Sequence, residues 1–180
     1  MSKLPDLREI LGSIFPSRYF LPGLKVGKGR KRVFSIRLHD LDDAVGLKLD
    51  AFENWPPDTK RCDGLFLCWP YNAGQLVVVL VELKGGHAEH AIEQIKTTSN
   101  LLCKKGDFFG IHSNEALLSQ ILQLAGNGHG ARVLAYIIAK KKLGLRQQER
   151  ANLLRNYGIR IHFTDNAAGT TCQQLLAAGS

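Results

Sequence analysis

The stretch "QLVVVLVELKGG", residues 75–86, is the part of the chain that most constrains its fold. Leu76 to Val81 form an apolar run of strand length, which reads as a strand built to be buried. It nevertheless ends in Glu82-Leu83-Lys84, two charges of opposite sign around one leucine, and then in Gly85-Gly86. At 180 residues and 44% hydrophobic content, the chain can bury one substantial core around such a strand. The expectation is a single α/β domain.

The flanking segments extend this reading. "KRCDGLFLCW", residues 60–69, reads as a second strand, and "YNAGQ" as the turn joining the two into an antiparallel hairpin. Upstream, Leu38, Leu41, Val45, Leu49 and Phe52 recur at three- and four-residue steps. They predict a helix over 38–53 that carries Asp40, Asp42, Asp43, Asp50 and Glu53 elsewhere and stops before Pro56-Pro57. Leu4, Leu7, Ile10, Leu11 and Ile14 predict a short opening helix ended before Pro16. Beyond the glycine pair, a helix over 88–103, a strand over 131–140, a helix ended by Gly158 and a strand from Ile159 follow in turn. That alternation favours a central mixed β-sheet flanked by helices. The expected division is residues 1–37 as helix and basic loop, and 38–180 as the core with a C-terminal helix-strand extension.

Charge suggests a partner. Twenty-four Lys and Arg against sixteen Asp and Glu leave a formal charge of +8, which favours a polyanion such as nucleic acid. The excess is concentrated. Lys25, Lys28, Arg30, Lys31, Arg32 and Arg37 stand in a glycine-containing loop or hairpin without an acid among them, and Lys104-Lys105 and Lys140-Lys141-Lys142 make further clusters, the latter beside Arg146 and Arg150. These are candidate phosphate contacts. Trp55, Trp69 and Tyr71 could stack on bases or fill the core.

Cys62, Cys68, Cys103 and Cys172 form no CxxC pair and read as buried thiols in a reducing cytoplasm; His87 and His90, without soft ligands nearby, make a poor zinc site. Neither a signal peptide nor a membrane span is read, so the expected location is cytoplasmic.

The chemistry-bearing residues converge on the hairpin. Residues i and i+2 of a strand share a face, so Glu82 and Lys84 lie on one side, and pairing around the turn brings Asp63 towards Glu82. Two carboxylates and an ammonium at the end of an apolar sheet suit Mg²⁺, which prefers hard oxygen ligands and keeps several waters. The arrangement fits phosphodiester hydrolysis.

Asp63, the eighteen residues between it and Glu82-Leu83-Lys84, and Gln94 on the next helix together resemble the PD-(D/E)xK nuclease superfamily, over residues 38–140. The resemblance implies a restriction-endonuclease-like αβββαβ core. It also implies Asp63 and Glu82 as metal-binding acids, the Leu83 carbonyl as a further metal ligand, Lys84 as the catalytic lysine and Gln94 as a helix residue at the site. Many members carry an acid on the first core helix; Asp43, Asp50 and Glu53 are candidates, and Glu53 is favoured because it stands nearest the Asp63 strand. Cys62 occupies the position of the proline in the family's name.

The implied activity is a metal-dependent nuclease using Mg²⁺, with Mn²⁺ substituting, on DNA ahead of RNA. Defence, mobile-element and repair roles are all compatible with it. Specificity would come from loops, from a homodimer or from a partner protein. The competing reading is a non-catalytic nucleic-acid- or protein-binding module on the same fold. An enzyme acting on a small phosphorylated molecule lacks a Walker-type or Rossmann glycine pattern.

Overall fold

The computed structural model describes residues 6–28, 32–52, 58–71, 73–84, 88–103, 117–124, 130–139, 146–164 and 167–178, and for Lys28, Arg32, Lys84, Ala88, Cys103 and Leu117 the backbone alone. In chain order the elements are α1 (Leu7–Gly12), β1 (Lys25–Lys28), β2 (Arg32–Arg37), β3 (Asp43–Leu47), β4 (Gly64–Trp69), β5 (Gln75–Lys84) and α2 (Ala88–Cys103). They are followed by α3 (Leu117–Leu124), β6 (Gly130–Ala139), α4 (Gln147–Tyr157), β7 (Ile159–Thr164), β8 (Ala167–Thr171) and α5 (Cys172–Ala178).

Five strands form one mixed sheet in the order β3-β4-β5-β6-β7. β3, β4 and β5 pair antiparallel, whereas β5-β6 and β6-β7 pair parallel. β1, β2 and β8 form a second sheet, with β2-β8 parallel. The architecture is α/β, as the alternation in the sequence led us to expect.

The central strand shows why its sequence is so uniformly apolar. Leu76, Val78 and Leu80 enter one core with residues of α1, α2, α3 and α4, while Val77, Val79, Val81 and Leu83 enter another with Phe34 and Ile36 of β2 and Cys172 and Leu175 of α5. Helices therefore cover one face of the main sheet, and the small sheet with α5 covers the other. A strand buried on both faces has no solvent side on which to alternate. Each fully buried valine or leucine contributes about 1.5–3 kcal/mol.

The sequence expectation of a helix over 38–53 is overturned. β3 occupies Asp43–Leu47 and is followed only by a 3₁₀ turn at Leu49–Ala51. Leu38 and Leu41 are 40% and 61% exposed, so two of the five residues of the apparent apolar stripe face solvent. Asp42 instead stabilises a turn, its carboxylate accepting the N–H groups of His39 and Tyr71. Gly46, a poor helix residue, is needed where β3 crosses Phe66: a Cβ there would lie 2.7 Å from Leu21 Cδ1 and 2.9 Å from Phe66 Cε1. Because the Phe66 ring is fully buried, Gly46→Ala is expected to destabilise the fold by about 1–3 kcal/mol, read as a lower urea midpoint with unchanged m-value.

Other local expectations hold with shorter boundaries. α1 begins at Asp6, whose side chain accepts the N–H groups of Arg8 and Glu9, and Asp43 accepts that of Leu7, so three otherwise unpaired donors are satisfied. Gly158 ends α4 at φ 64°, the left-handed conformation glycine adopts without strain. Cys62, Cys68 and Cys172 are buried thiols. Burial and a contact with Cys172 push the Cys68 thiol well above its ordinary pKa. Among the described residues, no helix is long and apolar enough to cross a membrane.

His162 of β7 stacks on Tyr136 of β6 with ring centroids 5.0 Å apart. Burial lowers its pKa, with Arg160 and Arg150 acting in the same direction, against a hydrogen bond with the Ala178 backbone. The unfolded chain therefore takes up this proton at higher pH than the folded one, and stability falls as pH drops below about 6.5. His162→Gln is expected to reduce the loss of urea midpoint between pH 7.5 and pH 5.5.

Candidate active site

β5 carries Glu82 near the end of its length, and β4 begins immediately after Asp63. Gly64 pairs with Val81, the last pair of the β4-β5 register, so continuing that register by one step would set Asp63 opposite Glu82. Opposed residues in antiparallel strands project to the same face. A hydrogen bond closes the arrangement: the Leu83 N–H donates to Asp63 Oδ2 at 2.7 Å. An ionised carboxylate has about four lone-pair positions, so this bond leaves acceptor capacity on Asp63.

Glu82 is fully buried, although its neighbours along the strand are leucine and valine. Strand alternation places it on the helix-covered side with Leu80 and Val78. A carboxylate withdrawn from water attracts compensating positive charge strongly, because the local dielectric is low. Lys84 is the last residue of β5, with its backbone paired to Ala139.

α2 closes the same end of the sheet. Gln94 donates from Nε2 to the Arg61 carbonyl at 2.6 Å, and Thr98 Oγ1 accepts the Cys62 N–H at 3.0 Å. Outside them, Lys60 Nζ lies 2.7 Å from Glu93 Oε2 in an exposed ion pair that contributes little to stability. Residues 60, 61 and 62, leading into Asp63, are thus each held by α2. Gln94 Oε1 is buried without a hydrogen-bond partner among the described residues. The motif alone does not single out Thr98; its position four residues beyond Gln94, on the same helix face, is the signal present in the sequence.

The acids considered for the first core helix separate. Asp43 pairs with Trp69, at the opposite end of β4 from Asp63. Asp50 lies on the 3₁₀ turn, with Oδ1 3.1 Å from Arg61 Nε, two residues before Asp63. Glu53 lies outside the described residues, as do Trp55, His87, Arg30, Lys31, Lys104, Lys105, Lys140, Lys141 and Lys142. Trp69 is in the core, Tyr71 is 41% exposed, and His90 is exposed.

The basic segment near residue 30 is a hairpin rather than a loop. Lys25 and Arg37 are exposed, and Lys28 pairs with Arg32 beside its turn. Val26 packs on Gly64, the neighbour of Asp63, since a Cβ on that glycine would meet Val26 Cγ1 at 3.2 Å. β8 follows closely on β7 and runs parallel to β2. Val26 of this hairpin is therefore placed near the end of the main sheet where β5 terminates.

No group of three or more His, Cys, Asp or Glu side chains poised to hold a metal occurs among the described residues. Asp63 and Glu82 offer carboxylate oxygens alone as donors. Such donors fit a hard cation that retains much of its water. No family model, curated protein or solved structure matches the chain.

Proposed function

We propose that this protein is a metal-dependent nuclease of the PD-(D/E)xK type, hydrolysing phosphodiester bonds, with DNA the favoured substrate. The observation that carries the reading is the approach of Asp63 to the end of β5 beside Glu82, tied by the Leu83 N–H and flanked by Gln94 of α2. The element order supports it. α1, β3, β4, β5, α2 and β6 match the αβββαβ order of the superfamily core once β3, not a helix, is taken as its first strand and the β1-β2 hairpin and α3 are taken as insertions. α1 then stands in the place of the first core helix.

In this reading Asp63, Glu82 and the Leu83 carbonyl would hold Mg²⁺, or Mn²⁺ in its place. The bound cation would supply Lewis-acid polarisation and charge neutralisation at the scissile phosphate. Lys84 would orient the attacking water, help remove its proton, or offset charge developing on the phosphoryl oxygens. Gln94 fixes the backbone that leads into Asp63. The hairpin bearing Lys25, Lys28 and Arg32 would receive the nucleic-acid backbone beside the cleavage point.

The test is cleavage of supercoiled plasmid and of labelled single strands by purified protein with Mg²⁺, with Mn²⁺ and with chelator. Asp63→Ala and Lys84→Ala should remove metal-dependent cleavage while leaving a folded protein that still binds DNA. Binding without cleavage under every condition would favour the non-catalytic module.

A further inference from the structure

We infer that Thr98 is a positioning residue for Asp63, acting with Gln94 as a two-point clamp from α2 on the Arg61–Cys62 peptide group, one peptide before Asp63. The inference rests on the metal-site reading of Asp63 and Glu82, and adds to it a residue outside the catalytic motif.

Asp63 lies just outside β4, one residue beyond Gly64, so strand pairing alone does not hold it. The Arg61–Cys62 peptide group is gripped from α2 at both ends: its Arg61 carbonyl by Gln94 Nε2 at 2.6 Å, and its Cys62 N–H by Thr98 Oγ1 at 3.0 Å. Thr98 is fully buried, and Cys62 is buried beside it. One contact takes an acceptor and the other a donor on consecutive residues. Together they restrain the path of the chain into Asp63, whose carboxylate then meets the Leu83 N–H at 2.7 Å.

Residues four apart on a helix lie above one another on successive turns, so Gln94 and Thr98 act as a single ledge. Groups that orient a metal-binding side chain commonly change metal affinity about 10–100-fold when removed. A buried threonine that merely filled space would be replaceable by valine without such an effect.

Full-length wild type, Thr98→Val, Thr98→Ser and Asp63→Ala would be compared by Mn²⁺ titration and by amide hydrogen exchange at Leu83. Thr98→Val is expected to weaken Mn²⁺ binding about tenfold and to accelerate Leu83 exchange by a similar factor, with Thr98→Ser restoring both. A folded Thr98→Val protein with wild-type Mn²⁺ binding and wild-type Leu83 exchange would overturn the clamp. If wild type and Asp63→Ala show the same Mn²⁺ behaviour, the metal-site reading itself fails and this role for Thr98 falls with it. That outcome is separable from failure of the clamp alone, in which wild type binds Mn²⁺ and Asp63→Ala does not.

Discussion

On the proposed nuclease function, Asp63→Ala is expected to lower Mg²⁺-dependent cleavage about 10²–10³-fold, the scale on which loss of one preorganised electrostatic group acts on a developing charge. Glu82→Gln should produce a loss of similar size by a different route. The amide keeps the shape of the buried side chain but removes its negative charge, and a neutral group is less costly than an ion to hold at a position with no solvent exposure. The Glu82→Gln protein is therefore expected to melt at the wild-type temperature or above it while failing to cleave. A variant that loses activity and stability together would instead assign Glu82 a structural role. Plasmid cleavage and thermal melting on the same preparation separate the outcomes.

The largest expected effect on stability lies at the other end of the hairpin. Trp69 is the last residue of β4, fully buried in the helix-side core, and its Nε1–H donates to the Ala73 carbonyl at 3.2 Å across the turn. Trp69→Ala should cost about 3–5 kcal/mol, because it opens a cavity among side chains that cannot all collapse into it. Domains of this kind are commonly stable by only about 5–15 kcal/mol, so much of the folded population would be at risk on warming. Trp69→Phe, which keeps most of the apolar volume but loses the N–H, should cost distinctly less. Urea unfolding followed by far-UV circular dichroism measures both, since the tryptophan signal itself is changed.

The legibility of the fold varied with how local its cause was. β4 and β5 could be read because hairpin pairing depends on a short turn and on two nearby apolar runs. β3 was misread because Leu38 and Leu41 are exposed residues of the connection between β2 and β3 that happen to keep step with Val45, Leu49 and Phe52. The better local signals were Gly46 and the clustered aspartates, both poor in helix interiors. α5 was passed over, yet its start has a capping box: the Thr171 N–H bonds Gln174 Oε1, and the Gln174 N–H bonds Thr171 Oγ1. Its T-x-x-Q pattern is visible in the sequence.

For the candidate site, motif spacing named Asp63, Glu82 and Gln94, but not how they are held. Glu82 is buried because the whole strand has a layer on each face, which is a property of the assembled sheet. The Thr98 bond to Cys62 joins positions 36 apart in sequence, beyond the reach of any local pattern.

The parallel pairing of β2 with β8 also bears on how the chain is made. Ser35 accepts a hydrogen bond from Gly169, 134 residues later, so one side of β2 has no strand beside it until almost the whole described chain has been synthesised. A ribosome-bound intermediate can form the β4-β5 hairpin, and with it the facing Asp63 and Glu82, well before the small sheet closes. Pairing of the two acids would then precede completion of the layer that covers the other face of their sheet.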